Sequence, residues 1–255
     1  MSDAVLFDAR EDGIAVITIN RPEAYNSLGR EVREGLFAAW SRFEKDDALR
    51  VAVLTGAGEK AFCAGGDLKE MVEMQLGVPP RDMFPAPGQN VEVTKPTIAA
   101  VNGVAFAGGW LLAQCCDLCI ASTTARFAIT EVKVGRGAPW AVPLIHMIPQ
   151  RIMMELLLIG KPLTAQRAYE VGLVNRLTAP ETLLDEAIAF AAEIVEGAPL
   201  SVMAAKETVG LATEMGRSAA LRAAATAWER AYRSADAQEG PKAFAEKRKP
   251  VWRGC

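Results

Sequence analysis

KAFCAGGDLKE at residues 60–70 and VNGVAFAGGWL at residues 101–111 are the two stretches that decide the predicted fold of this chain. Each follows an apolar, strand-like segment and precedes a plausible helix. Glycines at such a junction let the backbone turn sharply and bring N–H groups close to a ligand. Amides at the N-terminal end of a helix suit an oxygen that gains negative charge. Two such donors on one oxygen would form an oxyanion hole.

Neither glycine turn has the signature of a nucleotide-binding loop. The Gly-x-Gly-x-x-Gly pattern of dinucleotide-binding folds is absent, and so is the Gly-Lys-Ser/Thr ending of a P-loop. Either turn alone is more often ordinary tight-turn chemistry than a catalytic site. Two of them in one chain favour a catalytic site.

The rest of the chain predicts an α/β fold. Val5–Phe7 and Ile14–Ile19 are β-branched runs separated by a turn, which predicts a hairpin. Apolar residues recur at helical spacing from Arg30 to Glu44 and predict an amphipathic helix. Strands alternating with helices indicate a sheet-containing core. Further buried strands are predicted at 51–54, 97–101 and 118–121.

Two regions depart from this alternation. Residues 75–90 carry four prolines and two glycines, which predicts a surface loop that is either a pocket wall or a segment without function. After Pro162 the strand signals fade and helices are predicted at 164–171, 181–196, 201–214 and 217–234. We therefore expect a sheet-containing core over residues 1–195 and a helical C-terminal region over residues 196–255.

The charge balance argues against a nucleic-acid or membrane partner. The chain has 28 Lys and Arg against 31 Asp and Glu, so it has no overall basic field. The N-terminus lacks a signal-peptide pattern, and no apolar stretch is long enough to span a bilayer. Five cysteines, an odd number, fit a reducing compartment, so we expect a cytoplasmic protein.

The cysteine and histidine pattern predicts no metal site. Cys116 and Cys119 have C-x-x-C spacing, but no second pair completes a zinc site. His146 is the only histidine and lies in an apolar, proline-flanked stretch. A packed core histidine is the expected role.

Further segments, together with the two turns, carry a family resemblance over nearly the whole chain. In order, they resemble the "RP-x-x-x-N-x-L", "KP-x-IAAV-NG", "L-x-A-x-x-A-x-x-x-GLVN" and "F-x-EKRK" segments of the enoyl-CoA hydratase/isomerase (crotonase) superfamily. The matching stretches are RPEAYNSL at 21–28, KPTIAAVNG at 95–103, LTAQRAYEVGLVN at 163–175 and FAEKRK at 244–249. The resemblance implies an α/β fold with a spiral core of ββα turns and a helical C-terminal trimerisation region.

The resemblance also implies a ligand and an assembly. The substrate would be an acyl-coenzyme A thioester, with no covalently bound cofactor, and the chain would form a homotrimer or a hexamer made of two trimers. The backbone amides of Gly66 and Gly108 would form the oxyanion hole for the thioester. Coenzyme A would follow the first glycine turn, and the C-terminal segment would approach it from a neighbouring subunit. The implied coenzyme A residues are Lys60, Ala64, Asp67, Leu68, Lys69, Phe244 and Lys247.

One carboxylate stands where family hydratases have two. Their first glutamate follows the second glycine turn, and here that position is Leu111. Their second glutamate lies in an "F-x-x-x-E-x-x-x-G" pattern, which FAITEVKVG at 127–135 keeps as Glu131. Hydration needs two groups to fix and activate water, whereas one carboxylate suffices to carry a proton between two carbons. A dry pocket should raise the pKa of Glu131 toward its working range.

The surroundings of Glu131 resemble Δ3,Δ2-enoyl-CoA isomerases, which also have leucine at the first position. Trp110, Trp140 and Leu111 are candidate walls of an acyl pocket. Core packing is the alternative role of the two tryptophans, and it is favoured more for Trp110 than for Trp140. Arg136 lies close to Glu131 in sequence. If its side chain pointed into the pocket, it would lower the pKa of Glu131 or bind a polar or carboxylated acyl chain.

Two other functions remain open from the sequence. The first is an enoyl-CoA hydratase in which Glu73 or Asp82, from the proline-rich loop, replaces the missing carboxylate. The second is a non-catalytic homologue that binds acyl-CoA without converting it. The family reuses one scaffold for many reactions, so the fold alone does not choose among them.

Overall fold

A computed structural model describes residues 3–255, and within that range ten strands form two sheets. The strands are β1 (Val5–Ala9), β2 (Ile14–Ile19), β3 (Val51–Gly56), β4 (Ala61–Cys63), β5 (Thr97–Val101), β6 (Val104–Phe106), β7 (Leu118–Ser122), β8 (Arg126–Ala128), β9 (Leu163–Thr164) and β10 (Arg176–Thr178). The larger sheet has the order β1-β2-β3-β5-β7-β10 and the smaller has the order β4-β6-β8-β9. The β1–β2 and β8–β9 pairs are antiparallel, and the other pairs are parallel.

Helices follow most of the strands and then take over the C-terminal part. They are α1 (Arg30–Lys45), α2 (Leu68–Glu73), α3 (Gly108–Cys115), α4 (Gln150–Ile159), α5 (Ala165–Glu170), α6 (Leu183–Val195), α7 (Pro199–Glu214), α8 (Arg217–Tyr232) and α9 (Asp236–Ala245). Short 3-10 helices span Pro22–Ala24, Glu131–Lys133, Pro139–His146 and Pro180–Thr182.

The larger sheet is buried on both faces, as parallel sheets usually are. Because successive strand residues point to opposite faces, Ile14, Val51 and Val53 pack against α6, whose buried residues include Ala187 and Ala191. The opposite face packs against α1 and the smaller sheet, in a second cluster that includes Ile17, Leu54, Leu36, Trp40 and Phe43. The smaller sheet, which carries both glycine turns, is therefore fixed to the core.

The hairpin, the amphipathic helix and the buried strands predicted for the first half are confirmed by the structure. Residues 74–96 form neither helix nor strand, as the prolines predicted for residues 75–90. Two short strands follow Pro162, where the strand signals of the sequence fade. β9 and β10 each add a short strand to a sheet edge, and two or three residues are too few to show a periodic pattern.

The prediction that His146 is a core residue is also wrong. His146 is exposed in this chain and ends the 3-10 helix Pro139–His146. Residues three apart share one face of a 3-10 helix, so Ala141 and Leu144 point into the core. Val142 and Ile145 lie on a second face, His146 lies on a third, and all three are exposed.

The C-terminal region is a set of packed helices. α7 and α8 pack against each other, and Trp228 Nε1 donates to Thr208 Oγ1 across them at 2.9 Å. The buried carboxylate of Asp236 accepts from the amides of Arg253 and Gly254, which returns the chain end to α9. The proposed boundary between residues 195 and 196 falls between α6 and α7.

Over residues 3–255, no single helix has the length and apolarity needed to cross a membrane. The segments Pro180–Val195 and Pro199–Glu214 satisfy length and composition only as a pair, and that pair is bent by 105°.

Candidate active site

The two glycine turns leave the carboxyl ends of neighbouring parallel strands. β4 and β6 pair with Cys63 opposite Ala105, so the residues that follow each strand meet at the same sheet edge. A Cβ on Gly65 would lie 2.8 Å from Ala107 Cβ and 3.2 Å from the Gly108 nitrogen. A Cβ on Gly108 would lie 3.6 Å from the Gly66 nitrogen. The amides of Gly66 and Gly108 are therefore close neighbours.

Both amides are free to bind a ligand oxygen. Neither nitrogen donates a hydrogen bond to another protein atom within residues 3–255. Gly108 is the first residue of α3. Backbone N–H groups at this end of a helix have no partner inside the helix and form the positive end of its dipole. This geometry can stabilise negative charge on one oxygen.

Ala107, in the second glycine turn, has a strained backbone. Its φ of 52° and ψ of −119° lie in a region that residues with a side chain rarely adopt. Such a conformation costs roughly 1–3 kcal/mol and persists only where the surroundings enforce it. The strain lies immediately before Gly108, so it orients that amide. Sequence reasoning missed it, since alanine gives no signal of a positive φ.

Glu131 reaches the same sheet edge from the next strand. β8 pairs in parallel with β6, and the 3-10 helix Glu131–Lys133 follows β8 closely. The residue is only 8% exposed. Its Oε1 accepts a hydrogen bond from Trp140 Nε1 at 3.2 Å, whereas its Oε2 is buried without a protein partner in residues 3–255.

Burial raises the pKa of Glu131 above its usual value, and hydrogen bonds from its own backbone amide and from Trp140 oppose the rise. The direction agrees with the dry pocket that the sequence suggested. A carboxylate with a raised pKa is a better general base near neutral pH, because its proton affinity is closer to that of the group it serves.

No second buried carboxylate accompanies Glu131 at this edge. Leu111, at the position of the first hydratase glutamate, is 4% exposed on α3. Of the acidic residues in the described range, Glu131 and Asp236 are the buried ones, and Asp236 belongs to the C-terminal helices. Glu73 and Asp82, the substitutes considered above, are both exposed.

The two candidate tryptophans differ in their surroundings. Trp140 lies in the first turn of the 3-10 helix Pro139–His146 and contacts Glu131 directly. Trp110 is fully buried and packs edge-to-face on Phe127, with ring centroids 5.8 Å apart. Packing accounts for the position of Trp110, and its role as an acyl-pocket wall stays a prediction.

Gln114 is a site residue that sequence reasoning missed. It lies on α3, is 7% exposed, and donates from Nε2 to the backbone carbonyl of Trp140 at 2.6 Å. Its Oε1 is buried without a partner in residues 3–255. A buried amide inside an otherwise apolar helix was the only available signal.

Asp67, in the 60–69 segment predicted to follow coenzyme A, caps the start of α2. Its side chain accepts from the amides of Lys69 and Glu70 at the start of α2 and pairs with Arg21 Nη1 at 2.8 Å. The Arg21 hydrogen bond holds the pKa of Asp67 below its usual value. Lys60, Leu68 and Lys69 are exposed, and the Ala64 amide donates to the Tyr25 carbonyl. Their contacts with coenzyme A stay predictions.

Phe244 and Lys247 lie at the other end of the chain. Phe244 is 87% exposed in α9, and Lys247 follows with a φ of 54°. No hydrogen bond or ion pair within residues 3–255 joins either residue to the 60–69 segment. Their approach to the coenzyme A site of a neighbouring subunit stays a prediction.

Arg136 does not act on the carboxylate of Glu131. Its Nη1 donates to the Leu76 carbonyl at 2.7 Å and its Nη2 to the Gly77 carbonyl at 3.2 Å. No charged group contributes to the shifted pKa of Glu131. The guanidinium instead ties the proline-rich loop to the segment that follows Glu131.

Thiol chemistry finds no support at the first glycine turn. Cys63 is buried, and burial raises the pKa of its thiol to about 12. A thiol that stays protonated is a poor nucleophile. Residues 3–255 also contain no cluster of three or more His, Cys, Asp or Glu side chains able to hold a metal ion.

Comparison with known proteins agrees with the fold. The family model for enoyl-CoA hydratase/isomerase matches residues 9–255. The chain is 41% identical to the (E)-benzylidenesuccinyl-CoA hydratase of Thauera aromatica over 254 residues, which covers 95% of this chain and 96% of that protein. It is 37% identical to the carnitinyl-CoA dehydratase of Proteus mirabilis over 265 residues, with both chains fully covered.

A crystal structure of an enoyl-CoA hydratase from Mycobacterium tuberculosis H37Rv superimposes with a TM-score of 0.91, at 40% identity and with full coverage of both chains. The fold is thus that of the crotonase superfamily. The chain belongs to the enoyl-CoA hydratase/isomerase family and is an acyl-CoA enzyme of that family.

Proposed function

We propose that this enzyme moves a proton beside the carbonyl of an acyl-CoA thioester, in a Δ3,Δ2-enoyl-CoA isomerase-like reaction. The observation that carries the proposal is the buried carboxylate of Glu131, whose Oε2 has no protein partner in residues 3–255, together with a buried apolar Leu111 on α3. One carboxylate can take up and return a proton. Syn-addition of water requires a second group to hold the water.

In this mechanism the thioester oxygen accepts hydrogen bonds from the amides of Gly66 and Gly108. Glu131 removes a proton from C2 of a 3-enoyl-CoA, and the electron pair of that C–H bond delocalises into a dienolate. The negative charge on the thioester oxygen is stabilised by the two amides. The protonated Glu131 then gives its proton to C4, which leaves the double bond between C2 and C3. The carboxylate is regenerated, so no other reactant is consumed.

The coenzyme A part would lie along residues 60–69, with Lys60 and Lys69 near its phosphates. In a homotrimer, or a hexamer of two trimers, Phe244 and Lys247 of one subunit would approach the coenzyme A bound to the next. The exposure of Phe244 supports this arrangement, because a largely exposed aromatic side chain often marks an interface.

Hydration of a 2-enoyl-CoA is the second candidate. It is favoured by the names of the relatives, which are a hydratase and a dehydratase at 41% and 37% identity. It would require a water held by Glu131 and by a second group that is not a buried carboxylate, because the other buried carboxylate in residues 3–255, Asp236, belongs to the C-terminal helices.

Side-by-side assays with 3-enoyl-CoA and 2-enoyl-CoA separate the two reactions. We expect the ultraviolet absorbance of the conjugated thioester to rise with the 3-enoyl substrate, and little loss of that absorbance with the 2-enoyl substrate. Hydration at a rate comparable to isomerisation would refute the isomerase proposal. If coenzyme A thioesters bind but neither substrate is converted, the protein is a non-catalytic acyl-CoA-binding homologue.

A further inference from the structure

Three residues from three separate elements form a chain of hydrogen bonds that ends on Glu131. Gln114 on α3 donates from Nε2 to the backbone carbonyl of Trp140 at 2.6 Å. Trp140 then donates from its indole Nε1 to Glu131 Oε1 at 3.2 Å. The first bond fixes the backbone of Trp140 and the second uses its side chain, so Trp140 is held at both ends.

One end of the Gln114 amide bonds to Trp140, and the other end has no protein partner. Its Oε1 is buried without a hydrogen-bond partner in residues 3–255. The other side chains of α3 are apolar or a thiol. Within residues 3–255, the bond to the Trp140 carbonyl is therefore the one protein hydrogen bond that this side chain makes.

The bond from Trp140 selects one of the two oxygens of Glu131. The terminal torsion of a glutamate is broad, so an unanchored carboxylate rotates easily. The indole N–H is a donor only, and it holds Oε1 in place. The proton-accepting position is then left to Oε2, which has no other partner in residues 3–255.

Charged groups do not compete with this hydrogen-bond chain. Lys133 and Arg136 lie on the same segment as Glu131, Arg151 and Glu155 lie on α4, and His146 ends the helix that begins next to Trp140. The shift in the pKa of Glu131 has no contribution from any of them and depends on burial, its own amide and Trp140. The hydrogen bond from Trp140 is thus the one side-chain contact that lowers the pKa of Glu131 against the rise caused by burial.

We propose that Gln114 is a positioning residue of this enzyme: through the carbonyl of Trp140 it holds the indole that fixes Glu131 Oε1 and leaves Oε2 to carry the proton. The consequence for proton transfer rests on the proposed function, whereas the effect on Glu131 itself does not. Gln114 touches neither Glu131 nor the substrate in this scheme, so its effect is indirect.

The test compares Gln114→Met and Trp140→Phe with the wild-type protein, and uses Cys115→Ala, the next residue on α3, as the matched control. The titration of the Glu131 carboxyl is followed by ¹³C NMR, with its signal assigned by its absence in Glu131→Gln. Because the Trp140 bond lowers the pKa of Glu131, both variants should titrate at higher pH than the wild type. Cys115→Ala should titrate with the wild type.

Activity supplies the second measurement. Loss of one hydrogen bond to a charged group should reduce kcat/KM by roughly 10- to 100-fold in Trp140→Phe, and by a smaller factor in Gln114→Met. The acidic limb of the pH profile should move upward in both variants. A lower melting temperature with an unchanged titration and profile would show that Gln114 is only structural and would overturn the proposal.

The two proposals fail in different ways. The NMR titration needs no substrate, so a shifted titration in a protein that does not isomerise 3-enoyl-CoA would keep the positioning role and refute the isomerase function. If the wild-type enzyme isomerises 3-enoyl-CoA but the Glu131 titration in Gln114→Met is unshifted, the isomerase function is kept and the positioning role of Gln114 is refuted. If Gln114→Met does not fold, Gln114→Leu removes the same donor at a similar volume and is judged by the same two measurements.

Discussion

Gly65 and Ala107 are in such close contact that a methyl group on Gly65 would lie 2.8 Å from the Cβ of Ala107. The two residues belong to different glycine turns, 42 positions apart in sequence by their numbers, and each precedes one of the two free amides. Gly65 also has a φ of 98°, which side chains disfavour. The distance between the amides of Gly66 and Gly108 therefore depends on the absence of a side chain at residue 65.

Gly65→Ala should separate the turns and destabilise the fold. The added methyl group meets Ala107, and the positive φ is strained for alanine, which together should cost about 1–3 kcal/mol or more. Activity should fall by more than the loss of folded protein explains, because the two amides no longer converge. Calorimetry and kcat per folded enzyme measure the two effects.

Gly210→Ala is the matched control for this change. Gly210 lies within α7, and a Cβ there meets nothing within 4 Å. Alanine in a helix interior should stabilise the protein by roughly 0.5–1 kcal/mol and leave kcat unchanged. Equal behaviour of the two variants would contradict the close approach of the turns.

Glu131→Gln should abolish most of the activity while keeping the fold. Glutamine retains an acceptor for Trp140 Nε1 but cannot take up the proton, and loss of a general base typically costs 10²–10⁴-fold in rate. The exposed Glu155 on α4 provides the control, since Glu155→Gln should keep wild-type kcat. Activity that survives in Glu131→Gln would show that another group carries the proton.

The raised pKa of Glu131 also predicts how stability depends on pH. Below the usual value of 4.5, both the folded and the unfolded states hold the proton. As the pH rises, the unfolded state releases it first, so stability falls until the pH has passed the folded-state pKa. Glutamine does not titrate, so the Glu131→Gln variant does not lose stability in this way as the pH rises. Its melting temperature should match that of the wild type near pH 4 and exceed it near pH 7; the opposite trend would mean that the carboxylate is stabilised in its site.

Leu111→Glu should shift the enzyme toward hydration. A second carboxylate on α3 supplies the anchor for water that the single-glutamate site lacks. The buried charge should lower the melting temperature, because an ionised carboxylate is expensive to bury. The ratio of 2-enoyl-CoA hydration to 3-enoyl-CoA isomerisation should rise about tenfold or more if the new anchor lowers the hydration barrier by one hydrogen bond to a charged group. Leu111→Gln is the control without the second carboxylate, and an equal ratio in both variants would show that position 111 does not select the reaction.

Arg136→Lys should loosen the proline-rich loop without removing the charge. The guanidinium bonds two carbonyls, Leu76 O and Gly77 O, and an ammonium on a flexible stem does not reproduce that fork. Amide hydrogen exchange in residues 74–96 should become faster, and the pKa of Glu131 should stay the same, since no charge contributes to it. A shifted pKa would mean that Arg136 faces the carboxylate after all.

The sequence alone determined the fold and the family, and it located the glutamate whose proton-carrying role we propose. Glycine at 65 and 66 and at 108 and 109, and alternating apolar residues such as Ile17, are local signals that act through backbone freedom and strand periodicity. They place the turns after strands, and the family motifs order those strands. Glu131 and Leu111 can also be identified from the sequence, because each lies at a fixed number of residues from a family motif.

Only the tertiary structure decided which groups act on Glu131. Trp140 and Gln114 have no sequence pattern that joins them, and the hydrogen bond between them forms because α3 and the helix Pro139–His146 pack against each other. Arg136 is close to Glu131 in sequence, yet it bonds to a loop 60 positions away. Burial and side-chain direction depend on contacts between distant segments, so the raised pKa of Glu131 and its one free oxygen follow from packing.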